Sequence, residues 1–178
     1  MSVNNNAMKH TLPHAKGNLA PAQALEKIVV NAGVGRLSHE ANFEEKLLLQ
    51  VKRDLALLAG QEPQVRRATQ SVAGFKMREG QIVGLKVTLR GRKMVDFFSR
   101  FIMIVLPRVR DFRGIDEKAV DAAGMLNVGI HEHTVFPEIN PEQSPKIFSL
   151  EVTVVPKARD RAKSLALYRE LGVPLKKR

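Results

Sequence analysis

The sequence predicts a single α+β domain, with helices packed on one face of a mainly antiparallel sheet and the other face left open. Three observations lead there. At 178 residues the chain suits one domain long enough to bury a core. GLKVTLR (84–90) and FSLEVTV (148–154) alternate apolar and polar residues, which marks strands buried on one side; strands of a doubly wound parallel sheet would be apolar on both. Two longer stretches, 42–60 and 94–105, instead repeat apolar residues at helical spacing.

LEKIVVN (25–31) is rich in β-formers and is stopped by the glycines of AGVG, so it reads as a first strand. A helix follows over 42–60. Phe43, Leu47, Val51, Leu55 and Leu58 form its apolar stripe, Asn42 and Glu45 stand in capping-box spacing, and Gly60 supplies the stop. PQVRRAT (63–69) is a short strand leading into SVAGFKMREGQIVG (71–84). That stretch, with three glycines and a cluster of charges, reads as a flexible loop, yet it carries Phe75 and Met77 where an ordinary loop would be polar.

Beyond the loop, Leu85, Val87 and Leu89 take one face of a strand and Lys86, Thr88 and Arg90 the other. The next helix is anchored by Met94, Phe97, Phe98, Phe101, Ile102 and Val105, and Pro107 is expected to end it. An arginine-dense turn, PRVRDFRG (107–114), comes next. MLNVGIHEH (125–133) reads as a strand, FPEINPEQSP (136–145) as a Pro-bounded loop, and 148–154 as the last strand. A helix over 159–174, with Gly172 and Pro174 as stop signals, closes the chain. The expected division is an irregular or disordered lead-in over 1–22 and one α+β domain over 23–178.

Composition names a class of partner. The chain has 29 Lys and Arg against 18 Asp and Glu, a net charge of +11 and an isoelectric point near 10.3. Such an excess attracts polyanions, of which nucleic acid is the commonest for a small protein, with an anionic membrane surface as the rival. The longest apolar run, FIMIVL (101–106), is too short to cross a bilayer, and no signal-peptide core precedes the first strand. A cytoplasmic protein without a membrane partner is expected. The absence of cysteine excludes disulfides, thiolate metal sites and thiol nucleophiles together.

The motifs that could carry catalysis are weak. NAGVG lacks the third glycine of a dinucleotide fingerprint, so a tight turn at Gly33 and Gly35 is the expectation. His131 and His133 would share a strand face, but two ligands do not make a metal site, and half-exposed surface histidines are expected. No nucleophile elbow or paired carboxylates accompany them, so no enzyme, cofactor or metal is expected. The stronger pattern is cationic. Lys86, Thr88 and Arg90, joined by Lys27 and Asn31 if the first strand keeps matching register, put cations beside hydroxyl and amide groups, which suits phosphate and ribose. Arg108, Arg110 and Arg113 exceed what Asp111 can pair. In the loop, Phe75 and Met77 lie among Arg66, Arg67, Lys76 and Arg78. They either fold back onto the core or offer shape to a partner with phosphates and apolar base or sugar surface.

Taken in order and spacing, KIVVNAGVG (27–35), GQEPQVRRATQSVAGFKMREGQIVGLKVTLRGRKM (60–94), LPRVRDFRG (106–114) and FPEI (136–139) resemble the universal large-subunit ribosomal protein family five in its bacterial form. The similarity runs from about Lys27 to the C-terminus. It implies a non-catalytic α+β protein of the central protuberance that binds 5S rRNA and helps attach it to the large subunit. By carry-over, Asn31, Gln61 and Thr88 occupy the family's RNA-contacting positions, to which the sheet alternation adds Lys27, Lys86 and Arg90. The resemblance also implies that the loop, through Ser71, Gly74, Phe75, Lys76, Met77, Arg78 and Gly80, reaches the elbow of the P-site tRNA. It implies 23S rRNA and neighbouring large-subunit proteins as further partners, and a bridge to a protein of the small-subunit head. Arg108, Arg110 and Arg113 are candidates for that bridge or for further rRNA. No homo-oligomer is expected. The alternatives are a free RNA-binding assembly factor and a nucleotide- or metal-dependent enzyme.

Overall fold

The computed structural model describes residues 21–35, 37–39, 42–75 and 77–176. Residues 1–20 of the expected lead-in, Lys76 and the Phe75 side chain lie outside the described residues.

Five strands form one sheet: β1 (Leu25–Gly33), β2 (Gln64–Arg67), β3 (Ile82–Leu89), β4 (Leu126–Ile130) and β5 (Leu150–Pro156). Their order is β2-β3-β1-β5-β4 and every pairing is antiparallel. The helical elements are α1 (Pro21–Ala24), α2 (Leu48–Ala59), α3 (Gly91–Arg100), α4 (Leu106–Arg108) and α5 (Arg161–Glu170). This is the predicted α+β architecture.

Alternation decides where the core lies. Ile28, Val30 and Ala32 of β1, Leu85, Val87 and Leu89 of β3, and Leu150, Val152 and Val154 of β5 are all buried. α2 brings Val51, Leu55 and Leu58 to the same core, and α3 brings Met94, Phe97 and Phe98. Phe97 stacks on Phe101 and Phe136 with ring centroids 6.0 and 6.1 Å apart. From the other end of the sheet α5 sends in Tyr168, whose buried hydroxyl donates to the carbonyls of Gly124 and Val154.

Local signals differ from the fold at four points. Asn42 sits at φ 58° with no side-chain cap, because a capping side chain needs extended backbone at that position and the first turn, Phe43–Leu47, is π-helical. Gly60 does end α2, at φ 63°, a left-handed conformation that glycine, lacking Cβ, adopts at no steric cost. Pro107 does not end its helix at once. A π-helical turn at Phe101–Val105 precedes it, Leu106 N–H bonds the Phe101 carbonyl, and the chain leaves the helix only at Val109. A π turn loosens the ladder just where the proline ring would strike the carbonyl one turn back. Gly33 stays within β1 and Gly35 stands in the turn that follows, but neither has positive φ, so the turn does not draw on glycine's left-handed freedom. Finally, β3 begins at Ile82, so 82–84 belong to the sheet and not to the loop.

The histidine pair is also corrected. β4 stops at Ile130, leaving His131 exposed, while His133 lies in a 3-10 turn and is wholly buried with Asp54 and Ser144. The Ser144 hydroxyl donates to the Asp54 carboxylate, and His133 Nε2 lies 2.8 Å from Ser144 Oγ. Phe148 N–H donates to His133 Nδ1, which makes Nδ1 the acceptor and Nε2 the protonated nitrogen. Gln50 Nε2 completes the set with bonds to Ser144 Oγ at 2.8 Å and the Lys146 carbonyl at 2.9 Å. With Asp54, His133 and Ser144 buried and Gln50 half-buried, these groups clasp α2 to the segment before β5. Among the described residues no group of three His, Asp or Glu side chains could hold a metal ion.

Two outcomes follow. Burial pushes the His133 imidazole below its ordinary value, against the opposing pull of Asp54. The folded state therefore holds the ring neutral while the unfolded chain takes up a proton near pH 6.5, so stability present above that pH is lost as the pH falls below it. Urea midpoints at pH 7.5 and 5.5 are expected to drop for the wild type and to drop less for H133Q, whose side chain cannot titrate. Phe98→Ala, at a fully buried position, should cost about 3–5 kcal/mol in the same assay.

Candidate nucleic-acid interface

The face of the sheet away from the helices is built by the residues that alternate with the core. Register places them in rows. Gln64, Lys86, Asn31, Glu151 and Gly129 lie side by side across β2, β3, β1, β5 and β4. The next row holds Thr88, Val29, Thr153 and Asn127, with Thr153 Oγ1 donating to Asn127 Oδ1 at 2.8 Å. On the other side of the first row, Arg66, Gly84 and Gly33 are partners. Neighbours within a row are about 5 Å apart.

Four of the six sheet-face candidates come together. Asn31 and Lys86 are direct cross-strand partners, Thr88 follows Lys86 by two residues, and Gln61, just past the end of α2, donates its amide to the Thr88 carbonyl at 3.4 Å. Lys27 stands apart, at a bulge where β1 pairs with β5, and forms an ion pair with Glu26 at 3.2 Å. Arg90 lies one residue beyond β3, exposed, in extended backbone that leads into α3.

Ion pairing separates two populations of cations. Arg53, Arg100, Arg159 and Arg169 pair with Asp54, Glu138, Glu26 and Glu117. Arg159 first and Lys27 second hold the Glu26 carboxyl below the usual range. In contrast, among the described residues Arg66, Lys86, Arg90, Arg78, Arg108, Arg110 and Arg113 take part in no ion pair. Unpaired cations on an uncovered polar surface are free to meet phosphate.

The loop ahead of β3 has internal order. Val72 and Met77 exchange backbone bonds at 2.9 and 3.2 Å, closing a one-turn tip at Ala73–Phe75 that contains Gly74. Ser71 Oγ accepts from Glu79 N–H, and Arg67 Nη1 donates to the Gly80 carbonyl. The half-buried Met77 is not among the side chains packed on the core, and Arg78 is exposed. In the arginine turn, Arg108, Arg110 and Arg113 are exposed around Asp111, which sits at φ 54° and pairs with none of them. The turn lies beside the C-terminal segment, where Lys176 N–H donates to the Ile115 carbonyl.

Sequence reasoning missed Gln64, Glu151, Thr153 and Asn127 as members of the same face. Alternation in FSLEVTV marked Glu151 and Thr153 as outward, but only pairing with β1 puts them beside Asn31 and Val29.

Comparison with known proteins gives the family. The family model for ribosomal protein L5 matches residues 22–78, and the model for the C-terminal part of the same ribosomal family matches 82–175. A large ribosomal subunit protein uL5 from Syntrophomonas wolfei is 44% identical over 159 residues, covering 89% of this chain and 87% of that protein. The protein of the same description from Anaeromyxobacter sp. (strain K) is 46% identical over 89% of this chain and 86% of its own length. That from Chlorobium luteolum is 40% identical over 90% and 81%. With both halves of the fold matched, the chain belongs to the ribosomal protein L5 family.

Proposed function

We propose that the open sheet face holds 5S rRNA and helps attach it to the large ribosomal subunit. The coarse role follows from family membership: the chain is a structural constituent of the large subunit in the cytoplasmic ribosome and not an enzyme. The observation that carries the finer reading is the register. It sets Asn31 opposite Lys86 and keeps Thr88 against Gln61, so an amide, an unpaired cation and a hydroxyl-bearing residue share one uncovered surface. Lys27 and Arg90 flank it. A-form RNA offers phosphates and 2′-hydroxyls to such a surface, and these ask for cations, amides and hydroxyls rather than apolar side chains.

The 71–81 loop, projecting from the same sheet between β2 and β3, takes a second RNA in this reading, the P-site tRNA. Arg78 supplies attraction; Ser71, Gly74, Met77 and Gly80, with Phe75 and Lys76, supply the contact surface. Arg108, Arg110 and Arg113 serve either further rRNA, 23S rRNA among it, or the bridge to a small-subunit head protein.

Binding of 5S rRNA by the isolated protein should weaken steeply as salt rises, since phosphate contacts release counterions. Asn31→Ala combined with Thr88→Ala should weaken it about tenfold or more, at about 1 kcal/mol for each lost polar contact. Equal affinity of the wild type for 5S rRNA and an unrelated structured RNA would sink the reading. Cofractionation with mature ribosomes, rather than with precursors alone, separates a structural constituent from an assembly factor.

Phe75→Ala with Arg78→Ala is expected to spare 5S rRNA binding while weakening P-site tRNA on reconstituted ribosomes. Loss of 5S rRNA binding in that variant would assign the loop to the sheet platform instead.

A further inference from the structure

Glu151 is the discordant group on the open face. It is exposed, stands in register between Asn31 and Gly129, and among the described residues forms no hydrogen bond or ion pair through its side chain. The nearest cation in its row, Lys86, is two strands away, about 10 Å. A free carboxylate repels phosphate, so on a surface meant for RNA it weakens binding unless the RNA offers it protons.

Beside Glu151 the sheet is bare. Gly84 and Gly33 are cross-strand partners and Gly129 completes the floor; a Cβ on Gly33 or Gly129 would meet nothing within 4 Å. The result is an open groove of about 470 Å³ rimmed by Arg66, Asn31 and Glu151. Glycine within strands permits close approach of a ligand to the backbone.

We infer that this groove seats one unpaired guanine, with the Glu151 carboxylate accepting from N1–H and N2–H of its Watson–Crick edge and the Asn31 amide donating to O6. The inference rests on the reading of the open face as an RNA platform. Guanine alone presents two adjacent donors on that edge. Adenine and cytosine set one amino group beside an acceptor nitrogen that would oppose the carboxylate, and uracil has a single donor between two carbonyls. Both donors bonded to one carboxylate make a bidentate, charge-assisted pair, strong enough to offset the repulsion. Unpaired bases are the ones whose edges a protein can reach in RNA.

The test compares wild type and E151Q, which keeps the shape and removes the charge, against 5S rRNA and an unrelated structured RNA at one salt concentration. E151Q should bind 5S rRNA about tenfold more weakly and the unrelated RNA more tightly. Inosine, which lacks the N2 amino group, is placed at each unpaired guanine of 5S rRNA in turn. At one position it should weaken the wild type by a similar factor and leave E151Q unaffected. Gly129→Val fills the groove from a position with space for a side chain and should abolish the same discrimination. Unchanged or tighter 5S rRNA binding by E151Q, with the wild type still preferring 5S rRNA, overturns the guanine site alone. No preference in the wild type overturns the platform reading and this site with it.

Discussion

The register of β1 between β3 and β5 is the constraint on which the rest of the structure depends. Side chains of a strand alternate with period two, so the pairing that sends Ile28, Val30 and Ala32 into the core sends Val29 and Asn31 outward. The same pairing aligns Lys86 and Glu151 with Asn31 on the outer face. A slip of one residue would bury charge beneath the helices and expose the apolar row, at a cost of several kcal/mol for each ion desolvated. Core and open face are thus selected together.

Ion pairing divides the cations into two groups. Away from the sheet face several arginines are occupied: Arg100 with Glu138 and the Leu58 carbonyl, Arg161 with the carbonyls of Val120 and Glu117, Arg169 with Glu117. These contacts brace segments distant in the chain. Among the described residues, Arg66 and Lys86 on the sheet face and Arg78 in the 71–81 loop are left without acids, while Lys27 at the margin of that face pairs with Glu26. Glu151 is the exception on that face, and its isolation gives it meaning.

Inside the fold, polar groups do a different job. Asp54, His133 and Ser144 satisfy one another with Gln50, so a buried carboxylate, imidazole and hydroxyl leave no donor or acceptor idle. The clasp holds α2 against the segment leading into β5. The core behind the open face is thereby tied together although one of the sheet's edge strands, β2, is only four residues long.

Much of this was legible in the sequence, because alternation and helical stripes are local and the core obeys them: Leu85, Val87 and Leu89, and Val51, Leu55 and Leu58, are buried as their spacing demands. Long ordered motifs likewise marked the family. Tertiary structure alone decided three things. It set Asn31 opposite both Lys86 and Glu151, it took His133 out of the strand into the core, and it gave Asn42 a left-handed backbone that forbids its cap. The first two depend on pairing or packing between residues far apart in the chain, and spacing along one segment carries no information about which distant segment it will meet; the third is a backbone conformation that residue spacing does not encode.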